Sequence, residues 1–172
     1  MTELSQDERL QFIRLLDESA IRSVVASYAN AVDWMNWPVV ESLLWEDAKV
    51  DFGDFCRGDR AAFLPWVKAL EESKVRRMHM FGEVRILIEG NSAHAEVASL
   101  THVRGLTDAG RVDDLVYGRY LFKLEKRKGE WRLSAIDYLL NNFVSSSSTE
   151  SDAGPMVTAD NTCMTHPLAP RF

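Results

Sequence analysis

The residues of this chain suited to acid–base chemistry are one oddly placed aspartate and a small set of histidines. Asp33 stands in SYANAVDWMNW (27–37), at the end of a helical pattern, where the negative end of the helix dipole disfavours a carboxylate by ~0.3–1 kcal/mol. Either it is solvated and caps the next segment, or it turns inward and orients a histidine. Ala26, Ala29 and Asn30 lie one or two turns back on its side of the helix, a face of small residues that leaves room for a ligand. His94 sits beside a turn and His166 near the C-terminal end, so both are expected in solvent. His79, in RMHMFG (77–82), lies between two methionines in a strand pattern. A buried imidazole needs a partner, so His79 is either a core histidine bonded to a backbone carbonyl or a base. His102 poses the same question on the next strand, sharing a face with Ala98, Leu100 and Arg104. A neutral imidazole held by a carboxylate can take a proton from carbon near neutral pH. The histidines and acidic residues lack metal-ligand spacing, so no metal is implied.

These residues need elements to hold them. Leu10, Ile13, Leu16, Ile21, Val24, Val25, Tyr28 and Val32 recur at helical spacing and predict a helix over 7–34, in one piece or broken near Asp17, with one face in the core. Asn36 and Pro38 open a short second helix through Leu44. Residues 48–58 read as strand, tight turn at Gly53 and strand. A third helix follows over 59–73, capped by Asp59, with Phe63, Trp66, Val67 and Leu70 on one side. From Val75 the period changes to two, giving long strands over 75–89, 92–107, 114–126 and 130–144 joined by short turns, hence antiparallel. Gly82, Gly105 and Gly118 are candidate bends in a strongly curved sheet. Helices first and sheet second make an α+β domain over 1–145, a curved sheet wrapped around helices into a cone. Residues 146–172 read as a polar linker and a mildly apolar tail, a lid or an oligomer contact.

Composition narrows the partners. With 172 residues, 46% hydrophobic and 27% charged, the chain holds one sizeable core. A net charge of −6 with scattered basic residues argues against nucleic acid and anionic membrane. The first ten residues lack a signal-peptide pattern and no apolar run is long enough to span a membrane, so a cytoplasmic location is expected. Cys56 and Cys163 lie far apart and read as free thiols. Val84, Ile86, Ile88, Val116 and Phe122 are assigned to the outer face of the sheet, which is then too apolar to stay wet and predicts a homo-oligomer, a trimer or else a dimer.

A helix ending YANAVDWMNW, a short helix, a strand with turn and Gly58, a third helix and then RMHMFG opening a long sheet resemble the SnoaL-like branch of the nuclear transport factor 2-like superfamily. The resemblance covers about residues 8–145 and is nearest in arrangement to the scytalone dehydratases and hexachlorocyclohexane dehydrochlorinases. It implies an Asp33–His79 dyad at the cone mouth, with His102 in the place of a second active-site histidine. Two departures stand out. Val32 and Phe52 occupy places that hold tyrosines in scytalone dehydratase, and Tyr28 occupies the place of the dehydrochlorinase lysine. Neither scytalone nor a chlorinated substrate is therefore expected. What the resemblance leaves is cofactor-independent elimination, C–O or retro-aldol C–C, or isomerisation, on a hydrophobic substrate. Asp33 orients His79, and His102, Tyr28 and Arg119 are candidates to stabilise the leaving group. The expected cavity lining is Tyr28, Trp34, Trp45, Phe52, Phe55, Phe63, Trp66, Met80, Tyr117 and Tyr120, a set fitted to an aromatic ligand. A non-catalytic ligand-binding module or an oxygenase assembly subunit would not need the dyad.

Overall fold

The computed structural model describes residues 4–148. Helix α1 (Gln6–Asp33) is unbroken and starts in a capping box, in which the Ser5 hydroxyl accepts from Glu8 N–H and the Glu8 carboxylate accepts from Ser5. Helix α2 (Trp37–Ser42) follows after a turn at Met35. Strands β1 (Leu44–Asp51) and β2 (Arg57–Asp59) flank a turn in which Gly53 adopts a positive φ of 63°. Helix α3 (Arg60–Glu72) is capped by Asp59, which accepts from Ala62 N–H. Strands β3 (Arg76–Phe81), β4 (Arg85–Glu89), β5 (Ser92–Thr107), β6 (Gly110–Arg127) and β7 (Glu130–Ser148) complete the chain. The sheet order is β2-β1-β7-β6-β5-β3, with β4 also paired to β5, and every pairing but β1 with β7 is antiparallel. This is the expected α+β cone: a curved, unclosed sheet holding the helices in its concave side.

Four sequence expectations need correction. The first turns of α1 project beyond the sheet, so Leu10, Phe12, Ile13, Leu15 and Leu16 are each at least half exposed and burial begins at Ile21. The single strand expected over 75–89 is broken at Gly82–Val84, where Arg22 of α1 donates to the Val84 carbonyl. Four steps from Phe81 to Arg85 span three on β5, from Ser99 to Glu96. A one-residue slip exchanges the two faces of a strand. Arg77, His79 and Phe81 therefore face inward on β3, whereas Ile86 and Ile88 face inward on β4 and pack on the core with Val84. Phe122 is a core residue and Val116 faces the concave side, so none of the five residues assigned to the outer face lies on it. Finally, β7 runs to Ser148, past the domain boundary expected at 145. The tail expected to act as a lid lies outside the described residues.

The core sits between α1, α3 and the concave sheet, with Ile21, Val25, Phe63, Phe122, Leu124, Leu133 and Ile136 fully buried. Each contributes about 1.5–3 kcal/mol by leaving water. The pairing of β6 with β7 slips between Tyr117 and Gly118 and again between Lys123 and Leu124, which bends these long strands around the helices. Gly118 also provides clearance, since a Cβ there would come within 2.1 Å of the Tyr138 hydroxyl. Gly105, by contrast, sits in unbroken pairing. Among the described residues no helix is long and apolar enough to cross a membrane.

Candidate functional site

The last turn of α1 lies against the edge strand β3, and this brings Asp33 to His79. His79 Nδ1 is 2.7 Å from Asp33 Oδ1, and the His79 backbone N–H donates to Asp33 Oδ2 at 2.9 Å. An ionised carboxylate only accepts, so Nδ1 carries the ring proton and the lone pair of neutral imidazole is on Nε2. The pair is sheltered, with side-chain exposures of 6% for His79 and 20% for Asp33. The Asp33 carboxylate thus offsets its unfavourable place at a helix end with two hydrogen bonds from one residue.

His79 lines a cavity of about 830 Å³ in the concave face, a size that suits a small organic ligand. Tyr28 and Val32 of α1, Phe52 and Phe55 beside the β1–β2 turn, and Trp66, Val67 and Leu70 of α3 form one side. Thr101, Val103, Val116, Tyr120, Tyr138, Leu140 and Phe143 of the sheet form the other. The small residues Ala26, Ala29 and Asn30 are not part of it; the helix wall is Tyr28 and Val32. Aromatic rings give the cavity a stiff frame. Tyr120 packs edge-on to Tyr138 at 4.8 Å between centroids and lies 6.5 Å from the His79 ring, while Phe52 stacks on Phe63 and Tyr138. Burial, then the charge of Glu71, pushes the Tyr28 hydroxyl well above the ordinary phenol range. Burial, then its tyrosine neighbours, does the same to Tyr120. Both phenols stay protonated at any working pH, so each keeps an O–H that a ligand can accept from.

Of the residues expected in the site, the structure brings together Asp33, His79, Tyr28, Phe52, Phe55, Trp66 and Tyr120. It places others elsewhere. Strand alternation decides the cases on the sheet: Thr101 and Val103 face the cavity, so His102 points to the outer face, where its Nε2 lies 3.0 Å from Asp113 and Arg104 pairs with the same carboxylate at 2.7 Å. Arg119 is on that outer face as well, paired with Glu96 at 2.7 Å. Met80 and Tyr117 are outer-face neighbours of Leu100. Trp45 is structural, with the Arg127 and Arg132 guanidiniums over its ring at 5.0 and 4.7 Å and its N–H bonded to the Glu125 carbonyl. Phe63 is core behind Phe52, and Trp34, at the C-cap of α1, does not line the cavity.

Sequence reasoning missed a buried ion pair in the wall. Arg77 Nε donates to Glu71 Oε2 at 2.8 Å, and its guanidinium also donates to the backbone carbonyls of Glu71 and Lys74, tying the end of α3 to the strand that carries His79. Among the described residues no group of three His, Cys, Asp or Glu side chains could hold a metal ion. Cys56 is a half-buried free thiol.

The SnoaL-like domain family matches residues 14–137. No curated protein sequence matches the chain. Among solved structures, the chain is similar to a hexachlorocyclohexane dehydrochlorinase, LinA Type2, at 16% identity with a TM-score of 0.75, over 85% of this chain and 99% of that one. It is similar to a scytalone dehydratase-like protein of Novosphingobium aromaticivorans at 18% identity and a TM-score of 0.67, over 86% and 97%. LinA-type3 from Novosphingobium barchaimii LL02 aligns at 18% identity and a TM-score of 0.69, over 83% and 98%. At these identities the likeness speaks for the fold.

Proposed function

The chain belongs to the SnoaL-like domain family, and from that premise we propose that it is a cofactor-independent lyase of the dehydratase type, acting on a small hydrophobic, aromatic or polycyclic substrate. The observation that carries this reading is His79, held by Asp33 at 2.7 Å through Nδ1 and lining an apolar cavity. In this reading Nε2 takes a proton from a carbon beside a carbonyl, and Asp33 stabilises the imidazolium that forms. The imidazolium then returns its proton to the departing hydroxyl, which leaves as water. One base serves both halves of the reaction, because His102 and Arg119 face away from the cavity. Tyr28 and Tyr120 assist as neutral hydrogen-bond donors.

Neither relative's chemistry is carried over unchanged. A chloride leaving group departs as an anion, and the place where the resemblance expects a lysine holds neutral Tyr28. The same single base also serves a proton-shift isomerase, a reading favoured by the cavity lining, in which His79 is the one histidine among the described residues.

The test is a bicyclic β-hydroxy ketone with one aromatic ring, whose dehydration and enolisation aromatise the second ring and yield a naphthol. Naphthol absorbance that grows with wild type and not with His79→Ala supports the lyase. Exchange of the α-proton with deuterium from solvent, without loss of water, supports the isomerase instead. Turnover unaffected by His79→Ala overturns both.

A further inference from the structure

The residue opposite His79 on the cavity side comes from β5. His79 pairs in register with Thr101, and it gives its backbone N–H to Asp33 instead of to β5. The two therefore form a non-hydrogen-bonded antiparallel pair, the kind whose side chains stand closest, with Cα atoms ~4.5 Å apart. Thr101 is 94% buried by its 6% exposure, yet it lines the cavity, and its hydroxyl makes no hydrogen bond among the described residues. Its oxygen is not among the side-chain atoms sealed inside the protein without a partner, so its donor and acceptor open to the cavity. Around it the lining is apolar, with Val103 and Val116 beside it and Val32 of α1 in the same cavity. An apolar side chain would satisfy packing alone.

We infer that the Thr101 hydroxyl is a binding site for an oxygen atom of the ligand, a hydroxyl or carbonyl, held beside the carbon that faces His79 Nε2. This deepens the proposed function and rests on the same cavity, because it specifies an oxygenated aromatic as the ligand class and sets the oxygen's place relative to the base. Thr101 acts here as a specificity-determining residue: it donates to or accepts from the ligand oxygen and moves no proton between carbon and oxygen. A hydrocarbon of the same shape would leave the hydroxyl unpaired, which is the source of discrimination.

The experiment compares the binding of β-naphthol and β-methylnaphthalene, which match in shape and differ in the oxygen, by equilibrium dialysis with the full chain. Wild type is expected to prefer the naphthol. Thr101→Val, which keeps the shape and removes the hydroxyl, should reduce that preference by roughly tenfold. Thr101→Ser should keep it. Thermal unfolding of each variant reports whether packing has changed, and a ratio of two affinities in one protein is insensitive to a general loss of fold. An unchanged ratio in Thr101→Val, or a wild type that binds both probes equally, overturns the assignment and leaves His79 chemistry standing, since that is read separately from turnover in His79→Ala. If neither probe binds, the cavity is not an aromatic site and both readings fall.

Discussion

Asp33 accepts two hydrogen bonds from His79, one from the ring at 2.7 Å and one from the backbone at 2.9 Å. The ring contact fixes the tautomer and the backbone contact fixes the strand, so the carboxylate sets both which ring nitrogen of His79 carries the proton and where the ring stands.

Removing the base should therefore cost turnover more than stability. His79→Ala is expected to lower the rate by roughly 10²–10⁴. Asp33→Asn should be nearly as severe, because an amide can present its NH₂ to Nδ1 and reverse the tautomer. Steady-state rates for wild type and both variants provide the check, and full activity in Asp33→Asn refutes the orienting role.

The ion pair in the cavity wall makes the opposite kind of prediction. Arg77 has no exposed side-chain surface and Glu71 has 9%, so Arg77→Met leaves a buried carboxylate without its cation, at a cost of roughly 3–5 kcal/mol. Replacing both together, with Glu71→Leu, should recover part of the loss. Urea unfolding of the two variants measures it; equal stability of the double and single variants contradicts the pairing.

Asp17 links the middle of α1 to the β6–β7 hairpin. Burial pushes its carboxyl up, but hydrogen bonds from Lys126 and Trp131 more than reverse this and hold it below the usual range. A depressed folded-state value means that the stabilisation is present above the unfolded value of about 3.9 and is lost as pH falls through the folded one. Asp17→Asn should be less stable than wild type at neutral pH, and the difference should shrink below about pH 4. Thermal melts across that window decide it, and a difference that stays constant with pH excludes Asp17 as the titrating group.

The outer face supports an association prediction, although not through the residues first assigned to it. Met80, Leu100 and Tyr117 lie side by side across β3, β5 and β6, with Met80 and Tyr117 46% and 37% exposed. A homo-oligomer covering this row is expected, and Met80→Lys with Tyr117→Lys should dissociate it. Light scattering that returns the 19.5 kDa mass of one chain for wild type contradicts the expectation.

What was legible in the sequence was the elements and the contact of Asp33 with His79, because helix period, strand period and turn residues are local signals. Asp33 and His79 were found by their chemistry in an unusual local setting. Chemistry was a poor guide to which face of a strand looks inward, and it favoured His102 over Thr101, and Arg119 and Tyr117 over Val116. A better signal was present in β5, where Ala93, Ala95, Val97, Ser99, Thr101 and Val103 alternate with His94, Glu96, Ala98, Leu100, His102 and Arg104. The small and apolar series marks the concave face and includes the residue opposite His79. The break at Gly82–Val84 was not legible, because a one-residue slip leaves the period of two intact on either side and shows only in the pairing with β5. Glu71 and Arg77 found each other across a helix end and a strand, a contact that no local pattern encodes.

Strand β3 is the end of its sheet, and the hydrogen-bonding side it turns away from β5 is where Asp33 binds. Proteins protect such borders from strand-on-strand aggregation in several ways; here a charged side chain from a helix occupies the middle of one. A substitution that removes the Asp33 carboxylate would thus uncover a template for aggregation as well as release the His79 ring, so the aspartate has a structural use at this border whatever chemistry the cavity performs.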